Sequence, residues 1–281
     1  MLLVDTSGSM LLPTDPNSAS CPVGCGTAAN QCPTNCPTRF SELKTGLSNW
    51  LAVQGGTLRL GLTTYPSGPL CEPAMAPGVA LPLATTTDVG TGSTLSANAS
   101  LVSIGLQART PQGGTPTGPS LGVVGMLPGL NANDGRADYV VLLTDGLPNC
   151  NANNPNALCG CGNSCTATQL STCQCTTSTC SAAALCSLGC LDSSGSITAI
   201  SELNIRGIKT IVVGFGPESA GGATPAVLDA MARAGGAPRS CPNGTSAECG
   251  GGMCLSNRTC QRAFYGATSA AELESVLNSL F

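Results

Sequence analysis

The chain has 281 residues, 42% hydrophobic and only 9% charged, with a net charge of −4 and no histidine. That apolar content is enough for a buried core and excludes a disordered chain, at a length that suits one large domain or two small ones. No Lys/Arg patch exists to neutralise phosphates, which argues against nucleic acid. The missing histidine removes Ser-His-Asp and Cys-His catalysis and His-ligated zinc.

Apolar and amphipathic stretches alternate along the chain. This predicts an α/β fold, a doubly wound, mostly parallel central sheet with helices on both faces. Strands are predicted at 1–5, 58–65, 79–84, 138–144, 208–214 and 263–266. Helical spacing links Phe40, Leu43, Leu47, Trp50 and Leu51, then Leu95, Ala99, Val102 and Leu106, then Ile197, Ile200 and Leu203. A further helical segment is expected from Pro119 to Leu130. Thr224-Pro225 reads as an N-cap followed by proline at the first helical position, with Val227, Leu228 and Met231 inward. Ser269-Ala-Ala-Glu272 reads as a capping box opening a last helix, with Leu273, Val276, Leu277 and Leu280 inside. No run is apolar enough to span a bilayer; Gly118 to Leu130 is too short and contains Pro119 and Pro128.

Three short motifs stand at element ends. The first apolar run, Leu2-Leu3-Val4, leads into Asp5-Thr6-Ser7-Gly8-Ser9, a turn of oxygen donors suited to a hard divalent cation. Later come Gly113-Gly114-Thr115-Pro116-Thr117 and Leu142-Leu143-Thr144-Asp145-Gly146. Each piece alone is common in ordinary turns; the ordered set is not. In that order they resemble the metal-ion-dependent adhesion site (MIDAS) of the von Willebrand factor type A (VWA) domain, whose fold is Rossmann-like. The resemblance implies a metal site of Asp5, Ser7, Ser9, Thr115 and Asp145. The three hydroxyls would be direct ligands, and the two aspartates would act largely through water. The expected ion is Mg²⁺, or Mn²⁺ or Ca²⁺. Topology agrees: ligands of a doubly wound sheet bind outside the carboxyl ends of the strands, where Asp5 and Asp145 fall.

On this reading residues 1–281 form one VWA-like domain, its N-terminus truncated, with cysteine-rich insertions at 11–38, 150–195 and 239–261. Eighteen cysteines lie in clusters: four at Cys21–Cys36, one at Cys71, nine at Cys150–Cys190 and four at Cys241–Cys260. Such density points to disulfides in an oxidising compartment. Four-cysteine zinc sites are the alternative, but Cys21/Cys25 and Cys32/Cys36 have three intervening residues rather than the two usual for zinc. If both four-cysteine clusters close internally, parity pairs Cys71 with one of the nine. The insertions at 11–38 and 150–195 follow strands and belong beside the metal; 239–261 precedes a strand and belongs at the opposite edge. VWA domains usually run from the first motif into a helix after a short loop. Here residues 11–38 intervene, expected either to restrict access to the metal or to supply a competing carboxylate, with Asp15 the nearest candidate.

The resemblance implies an adhesion or binding module rather than an enzyme. It would recognise a protein or glycan partner that offers an acidic group to the metal, and it would be secreted, extracellular or in the cell envelope. No signal peptide or transmembrane segment is evident in this chain. The alternative is a structural envelope or matrix protein whose metal site is capped or vestigial. Asn98-Ala-Ser, Asn243-Gly-Thr and Asn257-Arg-Thr match the glycosylation acceptor pattern but decide nothing about function.

Overall fold

Alternating side chains on four-residue β1 (Leu2–Asp5) set the architecture: Leu2 and Val4 enter one core, Leu3 the other. A computed structural model describes residues 1–75, 92–130, 135–151, 191–217 and 224–281. The other strands are β2 (Leu62–Tyr65), β3 (Asp138–Thr144), β4 (Ile208–Phe215) and β5 (Tyr265–Ala267). They pair in parallel in the order β2-β1-β3-β4-β5. A parallel sheet must be covered on both faces, which explains why β3 and β4 are near-continuous apolar runs.

On one face, α1 (Arg39–Gln54), α2 (Gly92–Gln107) and α6 (Ala270–Leu280) bury Leu47, Trp50, Val102, Leu106 and Leu277 against Val141, Leu143, Val213 and Phe215. On the other, α3 (Thr117–Gly125), α4 (Ser193–Ile205) and α5 (Thr224–Ala234) bury Leu121, Val124, Ile200, Leu228 and Met231 against Leu3, Val140, Leu142 and Val212. The fold class read from the sequence is therefore the observed one.

Boundaries differ for local reasons. The strand expected over 58–65 starts only at Leu62, because its ladder opens at the pair Leu2↔Leu62, one residue after Leu2 N–H bonds Gly61 O. The strand expected at 263–266 lies at 265–267. Ala263 instead gives its N–H to Asp229 and its carbonyl to Arg239, so β5 meets β4 only from Val213↔Tyr265 onward. The expected strand at 79–84 lies outside the described residues. Helix α3 ends at Gly125, followed by a 3₁₀ turn over Pro128–Leu130. The capping box at Ser269 is half formed. Ser269 accepts from Glu272 N at 3.3 Å, but the Glu272 carboxylate takes Thr268 N at 2.7 Å rather than Ser269 N.

Five disulfides join described cysteines: Cys21–Cys36, Cys25–Cys32, Cys71–Cys150, Cys241–Cys254 and Cys249–Cys260. Both four-cysteine clusters close internally, and Cys71 pairs with the first of the nine, so these sulfurs are bonded to each other and are not zinc thiolates. Cysteines 159–190 lie outside the described residues. Insertion 11–38 is pinched at its neck: Pro13 bridges Thr38, Thr14 N–H bonds Pro37 O, and Arg39 N–H bonds Leu12 O. The chain therefore re-enters α1 beside the point where it left, and the excursion is spliced in without displacing β1 from α1. Among the described residues no helix is long and apolar enough to cross a membrane.

Candidate metal centre

Asp5 ends β1 and is fully buried. The backbone turns directly after it, so that Ser7 N–H donates to Asp5 Oδ1 at 2.8 Å. Pairing Val4 with Leu143 puts the end of β3 alongside, and the Thr144 hydroxyl donates to Asp5 Oδ2 at 2.7 Å. A 3₁₀ turn over Gly8–Leu11 then folds Ser9 back towards Ser7, their hydroxyl oxygens 3.0 Å apart. The Ser9 hydroxyl donates to Asp145 Oδ1 at 2.9 Å. Asp5, Ser7, Ser9 and Asp145 are thus linked by hydrogen bonds at the carboxyl edge, through the Ser7 N–H and the two serine hydroxyls, although Asp5 and Asp145 are remote in sequence.

Thr115 reaches the same edge on the loop between α2 and α3. Gly8 N–H bonds Gly113 O at 2.9 Å and Gln112 N–H bonds Thr6 O at 2.8 Å, which docks the loop on the β1 turn. Thr115 is buried and is gripped through its backbone: its N–H donates to Asn149 Oδ1 at 2.7 Å, and Asn149 N–H donates to its carbonyl at 2.9 Å. Among the described residues no hydrogen bond joins the Thr115 hydroxyl to the other four donors. Gly113 holds φ +66°, and a Cβ there would strike Leu70 O; a Cβ on Gly114 would overlap Cys150 Sγ. Gly113 is needed for its positive φ beside the Leu70 carbonyl, and Gly114 because the loop passes directly under the Cys71–Cys150 bridge.

Burial first, and then the charge of Asp145, push the Asp5 carboxyl from 3.8 up to about 7. Burial and the neighbouring Asp5 likewise raise the Tyr65 hydroxyl. Two buried carboxylates flanking a pair of serine hydroxyls form a site that favours a cation. The donors are hard oxygens with little formal charge, so this set fits Mg²⁺, Mn²⁺ or Ca²⁺ better than a soft metal.

Several residues at this edge were not among the five predicted site residues. Thr144 and Asn149 hold Asp5 and Thr115. Arg39, only 4% exposed, donates from a terminal guanidinium nitrogen to Asp145 Oδ2 at 2.8 Å. A signal for Arg39 existed: it is the first residue of α1, after the Thr38 cap, where a positive charge opposes the helix dipole and needs a carboxylate nearby. Asp15, expected as a competing carboxylate, is instead exposed and accepts from Asn17 N–H at 3.0 Å. What the insertion delivers to the site is a cation, at its far end.

No protein-family model matches the chain. No curated protein matches it either. Solved structures do. The pilus adhesin SpaC of Lactobacillus rhamnosus GG aligns over 99% of this chain and 29% of its own, with 16% identity and a TM-score of 0.50. Proximal thread matrix protein 1 of the mussel byssus, also solved with a zinc-occupied MIDAS motif, aligns over 99% and 46%, with 13% identity and a TM-score of 0.46 in one crystal form. A von Willebrand factor type A protein of Catenulispora acidiphila aligns over 83% and 36%, with 14% identity and a TM-score of 0.41. The chain spans less than half the length of each of these structures. With a parallel sheet of five strands among the described residues, helices on both of its faces and disulfide-closed insertions at 11–38 and 239–261, the chain has the von Willebrand factor type A fold with cysteine-rich parts.

Proposed function

We propose that this chain is a binding module that captures an acidic group of a protein or glycan partner through a divalent cation held by Asp5, Ser7, Ser9, Thr115 and Asp145. The observation that carries this reading is the convergence of two fully buried carboxylates and two serine hydroxyls in one hydrogen-bonded chain. Ser7, Ser9 and Thr115 would offer neutral oxygens to the ion, and Asp5 and Asp145 would orient those hydroxyls and bound water. An ion with few direct anionic ligands stays electrophilic, which suits a carboxylate as the completing ligand. Five disulfides support an oxidising location, outside the cell or in its envelope.

The test is calorimetric titration of Mg²⁺ and Mn²⁺ into oxidised, chelator-stripped protein, with Asp145→Ala alongside. Saturable one-site binding that the substitution abolishes supports the reading; absence of binding to the intact protein overturns it. A second reading, a structural envelope or matrix protein with a capped site, is favoured by the Arg39–Asp145 pair, which already supplies a cation to one carboxylate. Absence of metal binding would bring that reading forward.

A further inference from the structure

Arg39 is built into the centre. Its guanidinium takes Asp145 Oδ2 at 2.8 Å, while the opposite oxygen, Oδ1, accepts from Ser9. The arginine thereby neutralises Asp145 and fixes which oxygen faces the hydroxyl chain. Its stem is accommodated by Gly216, just past β4, at φ +102°; a Cβ there would lie 3.1 Å from Arg39 Cδ and 3.2 Å from Nε. The Thr38 capping box, with Ser41 N–H donating to Thr38 Oγ1 at 3.1 Å and Thr38 N–H to Ser41 Oγ at 2.8 Å, holds the first turn of α1 and hence the arginine's starting point. The clasped neck of insertion 11–38 delivers the chain to that turn, with Arg39 N–H bonded to Leu12 O.

The charge count follows from these contacts. Asp5 and Asp145 contribute two negative charges when ionised, and Arg39 returns one positive charge within direct contact. A divalent ion added to that set leaves one surplus positive charge, whereas without the arginine the set would be neutral. A buried surplus charge in a medium of low polarity is relieved by an anion.

We propose that Arg39 is the specificity-determining residue of the cation centre, weakening its hold on the metal and making an anionic ligand the preferred partner of the bound ion. This rests on the metal-binding reading above and goes beyond it: it assigns the ligand preference to one side chain that lies outside the five motif residues.

The experiment compares wild type, Arg39→Gln and Arg39→Lys, all oxidised and chelator-stripped. Mn²⁺ is titrated calorimetrically, and acetate is then titrated into each Mn²⁺-saturated protein with water-proton relaxation as the readout. Arg39→Gln is expected to bind Mn²⁺ about 10- to 100-fold more tightly and acetate about 10-fold more weakly, the scale of one charge removed at close range in a partly polar medium. Arg39→Lys, which keeps the charge, is expected to stay within about 3-fold of wild type in Mn²⁺ affinity, well short of the tenfold that a lost charge produces. Equal or weaker Mn²⁺ binding by Arg39→Gln overturns the proposal, as does an Arg39→Lys that behaves like Arg39→Gln. Wild-type protein that binds no Mn²⁺ refutes the metal reading itself, a distinct outcome. Where Arg39→Gln folds only with metal, its melting temperature across a Mn²⁺ series yields the affinity by linkage.

Discussion

Asn149 and Thr115 hold each other by two hydrogen bonds, from Thr115 N–H to Asn149 Oδ1 at 2.7 Å and from Asn149 N–H to Thr115 O at 2.9 Å. The pair ties the loop before α3 to the segment that leaves β3, so the position of Thr115 depends on a side chain outside its own loop. Asn149→Ala leaves a buried N–H without its acceptor and is expected to cost about 1–3 kcal/mol in denaturant unfolding. If Thr115 is a metal ligand, Mn²⁺ affinity falls in the same variant; unchanged affinity would exclude the Thr115 hydroxyl from the ligand set.

The Cys71–Cys150 bridge crosses the same loop, with Gly114 beneath it and Leu70 O accepting Gly114 N–H at 2.7 Å. Replacing both cysteines by serine removes a staple between two strand-end loops. We expect a loss of about 2–4 kcal/mol in stability and faster hydrogen exchange at Gly114 and Thr115. Exchange there at the wild-type rate would show that the backbone bonds alone hold the loop.

In the metal-free protein the contribution of Asp5 to stability should fall as pH rises from about 4 to about 7, while the buried Met1 amino group, lowered from 8.0 to about 5, acts the other way above about pH 5. Asp5 titrates at 3.8 when unperturbed and at about 7 in the fold, so in that window the unfolded chain releases a proton that the folded chain keeps. The charged and titratable groups around Asp5 are Asp145, Arg39 bound to Asp145, and Tyr65, whose hydroxyl stays protonated throughout. Thermal melts in chelator at several pH values check this. Asp5→Asn should remove this contribution, so the stability difference between wild type and variant falls across the window, and saturating Mg²⁺ should reduce that fall by favouring the ionised carboxylate. A wild-type minus Asp5→Asn difference that stays flat or rises across the window in metal-free protein would contradict the assignment.

The packing of α1 against α6 offers a test of the core. Gly46 on α1 faces the start of α6; a Cβ there would lie 2.5 Å from Ala270 O and 3.0 Å from Ala270 Cα, while Glu42 one turn earlier accepts Ala270 N–H at 2.8 Å. Gly46→Ala must push two helix backbones apart and is expected to destabilise by about 1–3 kcal/mol. A neutral substitution would mean that the α1–α6 contact is softer than its geometry indicates.

Much of this architecture was legible because it is written in local periodicity. Leu95, Ala99, Val102 and Leu106 are buried at the helical spacing expected of them, as are Val227, Leu228 and Met231. Cysteine parity was equally informative: an even count with two self-closing clusters left Cys71 to the nine-cysteine segment, and it pairs there with Cys150. Strand ends were less legible, because β2 and β5 extend only as far as their neighbours offer a ladder. Ala263 is buried like a strand residue, yet Asp229 and Arg239 take its hydrogen bonds.

By itself the sequence determined the doubly wound class, the order of the motifs and the edge at which Asp5 and Asp145 would meet. These follow from apolar runs that end in polar turns and from the rule that parallel strands share one carboxyl edge. Only the tertiary structure decided the charge of that meeting place. Arg39 opens a helix beyond a long insertion, and nothing local says that the insertion is clasped at Pro13 and Thr38, so that this arginine, rather than Asp15, arrives against Asp145. A long-range ion pair depends on where the chain returns, and that return is set by contacts between segments far apart in sequence.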